Sequence, residues 1–374
     1  MADLPGDGVA LFSTATAEGT IRLTLEPQQL APLGEDEVLI RVEATPVNPS
    51  DLGLLFGPAD VSTARVEGGA LVTDIPEKLR RAVAARVGQS MPVGNEGAGT
   101  VIAAGSSAAA QALVGRTVAT FGGALYRSYR VARASDVLVL PEGASAREGA
   151  SLTVNPLTAM AMVGTMRREG HTALVHTAAA SNLGQMLVRL CAHEGVGLVN
   201  IVRSPAQVAI LRGIGAEHVV DSSQADFMDR LVDAIVATGA TLAFDAIGGG
   251  TLAGQILTAM EAAQLRLGAP FSVYGSSVHK QVYIYGGLDM GPTTFSRSFG
   301  LQWGICGFLL TPYLMKVGFE EVGRMRSFVV EHRGDIFSSY YSAEIALTAM
   351  LDPAVAQACQ AKATGSKYLI NPTL

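Results

Sequence analysis

Residues 173–191 read ALVHTAAASNLGQMLVRLC and decide the predicted fold of this 374-residue chain. Ala173–His176 is an apolar run typical of a buried strand. After a turn of small residues, apolar side chains recur on one face of a predicted helix, at Leu183, Met186, Leu187, Leu190 and Cys191. Such a turn directs backbone N–H groups and the positive end of a helix dipole at one point, where a pyrophosphate can bind.

The glycine pattern of this turn is incomplete. A dinucleotide fingerprint has the form G-x-G-x-x-G, and the residues at that spacing are Ala179, Ser181 and Gly184, so only the last glycine is present. On this evidence alone, an ordinary tight turn between a strand and a helix explains the stretch equally well.

The surrounding chain favours the dinucleotide interpretation. From about residue 156 to 285, predicted strands and helices alternate, with strands at 173–177, 198–202, 218–220, 241–246 and 282–285. Repeated βα units of this length predict a doubly wound parallel sheet with helices on both faces, because right-handed crossovers place them there. The fold class is therefore α/β, with a Rossmann domain predicted over residues 156–308.

The first part of the chain has a different pattern. Alternating apolar and polar residues with glycines between them predict a compact β-rich barrel-like domain over residues 1–155, to which residues 309–374 return. Within it, residues 57–91 form an insertion that includes IPEKLRRAVAARV, a predicted short amphipathic helix. The insertion is either a surface decoration or an active-site lid, and the sequence does not decide between them.

Composition excludes several classes of partner. The net charge of −6 and the pI near 5.6 give no electrostatic footprint for nucleic acid or for an acidic membrane surface. The uncharged stretch 298–315 is shorter than a membrane-spanning helix requires and contains glycine and proline. Three widely spaced cysteines and no recognisable targeting segment predict a protein of the cytoplasm.

One arginine bears on the choice of cofactor. Ser204 is a good helix N-cap before Pro205, and Arg203 lies 19 residues after Gly184. An NAD site carries Asp or Glu in this region, which binds the ribose diol, whereas a guanidinium suits a 2′-phosphate. The sequence therefore predicts NADPH, although an exposed arginine at a helix start is the alternative.

The order of these parts resembles the medium-chain dehydrogenase/reductase superfamily, and most closely its zinc-independent quinone oxidoreductases and trans-2-enoyl-thioester reductases. The resemblance spans most of the chain and is carried by eight segments in the family's order: Asn48–Asp51, Gly94–Gly97, Tyr126–Arg127, Val154–Ala159, Ala178–Gln185, Asn200–Arg203, Gly215–Val220 and Gly365–Lys367. It implies a GroES-like first domain, a Rossmann second domain and a homodimer. The apolar segment 297–308 supports the dimer, because an exposed apolar sheet edge favours a partner.

The residues of the chain indicate whether it can bind a zinc ion. The zinc-dependent branch has Cys where this chain has Ser50 and His where it has Asn95, and none of the three cysteines lies in the first domain. Neither a catalytic nor a structural zinc site can be assembled from the usual ligands. Without a Lewis acid, the acceptor must already be electrophilic, which means a quinone or a C=C bond conjugated to a carbonyl group.

The resemblance also implies roles for individual residues. It assigns cofactor binding to Thr158, Ala179, Ala180, Ser181, Asn182, Leu183, Gly184, Arg203, Ser204, Gly248, Gly249, Tyr285, Gly286 and Lys367. The enoyl reductases carry a tyrosine just after the Asn-Pro-Ser-Asp segment, but here residues 54–60 read LLFGPAD. Tyr126 is the nearest candidate proton donor, with Asn48, Asp51 and Asn95 as polar lining, although a half-buried strand tyrosine explains Tyr126 equally well.

These inferences predict a zinc-independent, NADPH-dependent oxidoreductase that reduces quinones or α,β-unsaturated carbonyls by hydride transfer. An enoyl-thioester reductase is the alternative within the same class. A sensor or structural protein that binds NADPH without turnover is the alternative of another class.

Overall fold

The computed structural model describes residues 5–361 and 367–374. Its strands are β1 (Val9–Ala15), β2 (Thr20–Pro27), β3 (Glu37–Pro46), β4 (Asp60–Glu67), β5 (Ala70–Asp74), β6 (Ser90–Pro92), β7 (Glu96–Ala104), β8 (Thr117–Phe121), β9 (Tyr129–Arg133), β10 (Leu138–Val139), β11 (Ala173–His176), β12 (Gly197–Val202), β13 (His218–Asp221), β14 (Leu242–Asp245), β15 (Gly248–Gly250), β16 (Lys280–Ile284), β17 (Asp289–Thr293), β18 (Trp303–Gly307), β19 (Ala343–Ala346) and β20 (Tyr368–Asn371). Its α-helices are α1 (Pro49–Leu55), α2 (Ala108–Gln111), α3 (Ala146–Gly149), α4 (Asn155–Arg168), α5 (Asn182–Glu194), α6 (Pro205–Gly213), α7 (Phe227–Thr238), α8 (Leu252–Arg266), α9 (Leu310–Val317), α10 (Phe319–Glu331) and α11 (Pro353–Gln360). Short 3-10 helices span Glu77–Arg86, Ala134–Asp136 and Leu347–Leu351.

The chain forms two compact units. Unit 1 comprises Met1–Val154 and Ser339–Leu374, and unit 2 comprises Asn155–Ser338. The sequence assigned residues 309–374 to the first domain, and this is wrong for 309–338. Helices α9 and α10 of that segment pack against α4 in unit 2, and the Arg189 side chain on α5 donates to the Ile336 carbonyl oxygen at 2.8 Å.

Unit 1 is built on two largely antiparallel sheets. One has the strand order β4-β5-β2-β1-β6, and the other has the order β10-β8-β7-β3-β20-β19, with β9 also paired to β3. The return strand β20 lies antiparallel to β3, with Leu369 opposite Pro46. The end of the chain therefore completes a sheet begun more than 300 residues earlier, as expected for the strand-like sequence KYLINPTL.

The insertion 57–91 contributes three strands to the first of the two sheets in unit 1, the one with the order β4-β5-β2-β1-β6. Strands β4 and β5 extend the sheet from β2, β6 pairs with β1, and the Arg86 guanidinium donates to Ser13 Oγ at 2.8 Å. The predicted amphipathic α-helix here is a 3-10 helix, Glu77–Arg86. With three residues per turn, the apolar residues spaced four apart do not form one stripe. Accordingly, Val83 is buried whereas Leu79 is exposed.

Unit 2 contains the predicted parallel sheet. Its strand order is β13-β12-β11-β14-β16-β18, and every adjacent pair is parallel. Numbered along the chain, this is the doubly wound order 3-2-1-4-5-6, whose direction reverses between β11 and β14. Dinucleotides bind at such a switch point, outside the carboxyl ends of the strands. The predicted fold class is confirmed.

A buried ion pair anchors the start of β16. Lys280 is fully buried, and its ammonium group donates to Glu261 Oε2 at 2.5 Å, to Ser276 Oγ at 3.0 Å and to the Val278 carbonyl oxygen at 3.1 Å. Three acceptors meet the three donors of the lysine, which compensates for the loss of hydration.

The uncharged stretch 298–315 contributes β18 and the first turns of α9. Within the described ranges, none of the helices has the length and apolar character needed to cross a bilayer.

Candidate active site and cofactor site

The turn after β11 is held rigidly on the neighbouring strand. Thr177 Oγ1 donates to Asp245 Oδ1 at 2.7 Å and accepts from the Ala246 backbone N–H at 2.8 Å. Ala178 follows with a φ of 49°, in the left-handed region that non-glycine residues rarely adopt. The backbone therefore reverses abruptly at the end of β11, where β14 supplies its anchor.

The start of α5 requires a glycine and a cap. A Cβ atom on Gly184 would lie 2.1 Å from the Ala179 carbonyl oxygen, so only glycine fits where the helix meets the turn. Ser181 is the N-cap, and its Oγ accepts from the Gly184 backbone N–H at 3.1 Å. The predicted turn residues Ala179, Ala180, Ser181, Asn182, Leu183 and Gly184 are thus brought together. The Ser181 Oγ atom already caps the helix. This hydrogen bond competes with the contact to a phosphate that the sequence predicts for Ser181.

Arg203 and Ser204 follow the end of β12. Ser204 caps α6 by accepting from the Gln207 backbone N–H at 3.4 Å. The Arg203 side chain is exposed, and among the described residues no hydrogen-bond or ion-pair partner of its guanidinium is found. An exposed cation beside a helix N-terminus suits a phosphate ligand.

The predicted glycines near β14 meet close backbone approaches. Gly248 has a φ of 82°, and a Cβ atom there would lie 2.8 Å from the Gly286 carbonyl oxygen. A Cβ atom on Gly286 would lie 2.6 Å from the Ala246 carbonyl oxygen, and one on Gly249 would lie 2.7 Å from the Asp289 side chain. Chain packing alone thus accounts for these glycines, and their contact with a cofactor stays a prediction.

Two further predicted cofactor residues lie in unit 2. Thr158 is buried on α4, and its contact with a cofactor stays a prediction. Tyr285 directly follows β16 and is half-buried at the carboxyl end of the sheet.

Tyr285 has a partner that sequence reasoning missed. His176, the last residue of β11, is fully buried, and its Nε2 lies 2.7 Å from the Tyr285 hydroxyl. The two rings are stacked, with centroids 5.8 Å apart. Burial lowers the pKa of His176 to about 3, so the imidazole is neutral at physiological pH. No local pattern points to this contact, because the two residues are 109 positions apart in the chain and only the parallel sheet brings them together.

In unit 1, the four predicted catalytic residues meet in a polar network that includes the buried Asp51 carboxylate. Asp51 Oδ2 accepts from the Asn48 backbone N–H at 2.8 Å, and Asp51 Oδ1 accepts from the Asn95 backbone N–H at 2.9 Å. Burial raises the pKa of Asp51 to about 7, against the lowering effect of these hydrogen bonds and of the Tyr126 hydroxyl. One carboxylate thereby ties the start of α1 to the loop before β7.

Glu96 is the centre of this network, and the sequence analysis did not identify it. Its Oε1 accepts from Asn48 Nδ2 at 2.9 Å. Its Oε2 accepts from the backbone N–H groups of Thr153 and Val154 and from Thr153 Oγ1, at 3.1, 2.9 and 2.9 Å. A buried carboxylate with four donors is well compensated. Nothing in the local pattern of GNEG distinguishes it, because its donors are about 50 residues away in the chain.

The structure argues against Tyr126 as the proton donor. Its side chain has 0% exposure and packs in the hydrophobic core of unit 1 with Leu55 and Phe56. Its hydroxyl donates to the Pro46 carbonyl oxygen at 3.1 Å, and burial together with Asp51 raises its pKa well above the usual value. A sealed hydroxyl cannot reach an acceptor molecule, so Tyr126 is a core residue beside Asp51.

The positions of the missing zinc ligands lie together at the surface. Asn95 Nδ2 donates to Ser50 Oγ at 3.0 Å. In the described ranges, no group of three or more His, Cys, Asp or Glu side chains is arranged to hold a metal ion. A weak amide–hydroxyl contact therefore stands where the zinc-dependent relatives have two metal ligands.

Lys367 joins a separate polar contact in unit 1. Its Nζ donates to Ser151 Oγ at 2.8 Å, and Ser151 Oγ also lies 2.8 Å from the Tyr341 hydroxyl, which donates to it. Burial lowers the pKa of Lys367 to about 8, although Glu96 and Asp51 oppose this shift. Its predicted contact with phosphates stays a prediction. Gly365 and Ser366 of the same motif lie outside the described residues.

The fold and part of the sequence are similar to those of known proteins. No protein-family model matches the chain. A protein from Mesorhizobium loti, provisionally named an NADPH:quinone reductase, matches 99% of this chain and 100% of its own with a TM-score of 0.73 and 26% identity. A mycobacterial protein solved with NADPH matches 98% of this chain and 100% of its own with a TM-score of 0.68, at 17% identity. The fold of this chain is that of the medium-chain dehydrogenase/reductase superfamily.

Within this superfamily, the zinc-independent branch accounts for the Ser50 and Asn95 positions. Among curated proteins, the mitochondrial enoyl-[acyl-carrier-protein] reductase of Bos taurus is 26% identical over 206 residues, which are 54% of this chain and 49% of that protein. The chain thus spans about half the length of the curated relatives it matches.

Proposed function

We propose that this chain is an NADPH-dependent, zinc-independent oxidoreductase that reduces quinones or α,β-unsaturated carbonyl compounds by hydride transfer. The observation that carries the proposal is the match over 99% of the chain to the Mesorhizobium loti structure, which bears an NADPH:quinone reductase name. This structural match does not depend on the glycine pattern at positions 179, 181 and 184, which is incomplete and identifies no cofactor on its own.

The residues of unit 2 fit the cofactor. The turn 178–184 has small side chains, a left-handed Ala178 and a glycine that no other residue can replace. At the end of β12, Arg203 offers a guanidinium without a partner in the described chain. We assign the pyrophosphate to the turn and the start of α5, and the 2′-phosphate to Arg203 and Ser204.

When bound, NADPH supplies the hydride, and the protein supplies position and the exclusion of water. Thr177 and Asp245 hold the turn in one conformation before any ligand arrives, which lowers the entropic cost of binding. An acceptor that is already electrophilic needs no metal ion, which agrees with the Ser50–Asn95 contact in place of zinc ligands.

An enoyl-thioester reductase is the second candidate, because the curated relative is an enoyl reductase. The absence of a tyrosine in residues 48–60 weighs against it. The test is the loss of NADPH absorbance in the presence of a panel of quinones, enones and crotonyl thioesters. Turnover of quinones or enones supports the proposal, and preference for the thioester favours the second candidate. Binding of NADPH without turnover of any acceptor identifies a sensor or structural protein.

We also propose a homodimer. Strand β18 is the outer strand of the parallel sheet, and along the described chain nothing pairs with its free edge. Cys306 and Gly307 on this strand are exposed. A two-fold axis would pair β18 with the β18 strand of a second copy. Neither sheet would then have an unpaired edge at β18.

Two assignments complete the proposal. We assign NADPH binding to unit 2 as the Rossmann domain, and we take unit 1 to be the GroES-like domain. Cys191, Cys306 and Cys359 are all free, which supports a reducing compartment such as the cytoplasm.

A further inference from the structure

In the pair His176–Tyr285, only one of the two imidazole nitrogens has a hydrogen-bond partner among the described residues. His176 Nε2 bonds the Tyr285 hydroxyl, but His176 Nδ1 is buried and has no partner among the described residues. A neutral imidazole has one N–H donor and one bare nitrogen, and the structure determines which is which. A buried N–H without an acceptor is rarer and costlier than a buried lone pair.

The unpartnered nitrogen is therefore the bare one. The proton resides on Nε2, which donates to the Tyr285 oxygen at 2.7 Å. Tyr285 thus accepts from His176, and its own O–H hydrogen points away from the imidazole. In the described chain, no other hydrogen-bond partner of this hydroxyl is found. A donor with no protein acceptor, at the carboxyl end of a doubly wound sheet, faces the place where ligands of this fold bind.

The location favours the reacting half of the cofactor. Arg203 lies beyond β12, on the side of the switch point assigned to the adenosine phosphate. Tyr285 follows β16, on the opposite side, beyond β14. The two halves of a doubly wound sheet each bind one mononucleotide, so Tyr285 lies on the nicotinamide side.

We propose that Tyr285 is the proton donor to the reduced acceptor and that His176 is its positioning residue. This rests on the proposed function. Once the acceptor carbon has received the hydride with its electron pair, an enone becomes an enolate that lacks one proton. The Tyr285 O–H bond breaks and a new C–H or O–H bond forms on the acceptor. The tyrosinate, which is stabilised by the His176 Nε2–H group, then regains a proton from water.

Three features support this assignment over a structural one. Tyr285 is half-buried, whereas Tyr126 is sealed in the core. The hydroxyl of Tyr283, two residues earlier on β16, donates its hydrogen to Glu169 Oε1 at 2.8 Å. The hydroxyl hydrogen of Tyr285 has no such acceptor among the described residues. The anchoring of Thr177 on Asp245 fixes the residue after His176, which keeps the imidazole in place.

The test compares Tyr285→Phe with the matched control Tyr283→Phe. We expect Tyr285→Phe to lower kcat about 100-fold on an enone. On a quinone the loss should be at least about tenfold smaller, since water can protonate the hydroquinone oxygen. NADPH affinity, measured by fluorescence titration, should change less than about threefold. Tyr283→Phe should leave both activities near wild type. An equal loss of NADPH affinity and kcat in Tyr285→Phe would make Tyr285 a cofactor-binding residue only, and unchanged enone turnover would also overturn the proposal.

His176 is tested through its effect on Tyr285. His176→Gln keeps an N–H near the Nε2 position and should retain most enone turnover, whereas His176→Leu should lose it. In the Tyr285→Phe background, His176→Leu should cause no further loss. Nitrogen-15 NMR of the histidine should show the proton on Nε2, and a proton on Nδ1 would refute the tautomer. If wild-type protein oxidises no NADPH with any acceptor, the proposed function fails, and the NMR result still tests the tautomer.

Discussion

At the scale of single residues, Arg203 is the side chain to which we assign the choice between NADPH and NADH. It is exposed at the end of β12, and within the described residues its guanidinium has no carboxylate partner, so a phosphate would be its first strong ligand. Charge-assisted hydrogen bonds to phosphate are about twice as strong as neutral ones.

The variant Arg203→Glu should therefore weaken NADPH binding by about 100-fold, through loss of one cation and gain of one anion. NADH lacks the 2′-phosphate, and its affinity should change less than about threefold. Fluorescence titrations with both cofactors give the measurement. Arg168→Glu, at an exposed position at the end of α4, makes the same change of charge as a control. Equal losses for the two cofactors would refute the phosphate role.

Asp51 makes a prediction about pH. Its folded-state pKa is raised to about 7 from an ordinary value of 3.8, so the folded protein binds more protons than the unfolded chain between those values. The stability contributed by protonated Asp51 is present below pH 4 and is lost as pH rises to 7. By linkage, the loss is at most about 4 kcal/mol.

In Asp51→Asn this pH dependence should disappear. The variant loses an acceptor for one of two backbone N–H groups and should be less stable than wild type at pH 5. The gap in Tm between the two proteins should narrow as pH rises to 8. Thermal unfolding across this range provides the test, with exposed Asp36→Asn as the control. A gap that stays constant with pH would show that Asp51 does not titrate in this window.

At the scale of elements, the turn 177–184, to which we assign the pyrophosphate, forms without the usual glycines. Ala178 adopts the left-handed conformation that glycine would adopt at lower cost, and the Thr177–Asp245 contact holds it there. Only Gly184 is sterically obligatory, because its Cβ would collide with Ala179. The incomplete fingerprint is therefore compatible with the geometry that the full one specifies.

Gly184→Ala should disrupt this element. The added Cβ must displace the Ala179 carbonyl group, with a cost of about 1–3 kcal/mol in stability. It should also reduce NADPH affinity at least about tenfold, because the turn moves with the helix start. Gly213→Ala in α6, where a Cβ meets no atom within 4 Å, is the matched control and should be neutral or slightly stabilising. Unfolding midpoints and cofactor titrations report the two effects, and normal NADPH binding by Gly184→Ala would contradict the assignment.

The elements also show what a sequence can predict. The strands and helices of unit 2 were predictable because each βα unit carries its own periodicity, as in β11 and α5. The insertion was not, since apolar residues four apart are typical of an α-helix, whereas the segment forms a 3-10 helix in which they do not share one face. In the candidate site, Arg203 and the turn are local features of the sequence, and their contact with the cofactor stays a prediction. Glu96 and His176 were missed because their partners, Thr153 and Tyr285, are 57 and 109 residues away in the chain.

At the scale of the whole molecule, the proposed dimer depends on one strand. β18 ends the parallel sheet with a free edge in the described chain, and natural proteins protect such edges by charge, proline or a partner. The sequence of β18, WGICG, has neither charge nor proline. A second copy of the chain is the partner that symmetry supplies most simply, because an antiparallel β18 pair joins two sheets into one.

Cys306→Lys should therefore convert a dimer into a monomer. Cys306 is exposed on β18, and a lysine there places two like charges close to the two-fold axis, at a position where the wild-type edge is uncharged. Light scattering coupled to size-exclusion chromatography measures the mass. Val66→Lys on the exposed β4 strand of unit 1 adds the same charge and should leave the dimer intact. Wild-type protein that elutes as a monomer, or a Cys306→Lys variant that remains dimeric, would place the interface elsewhere or exclude it. Because β16 lies between β18 and the β14 strand, NADPH binding should survive in the monomeric variant, and this outcome would separate assembly from cofactor recognition.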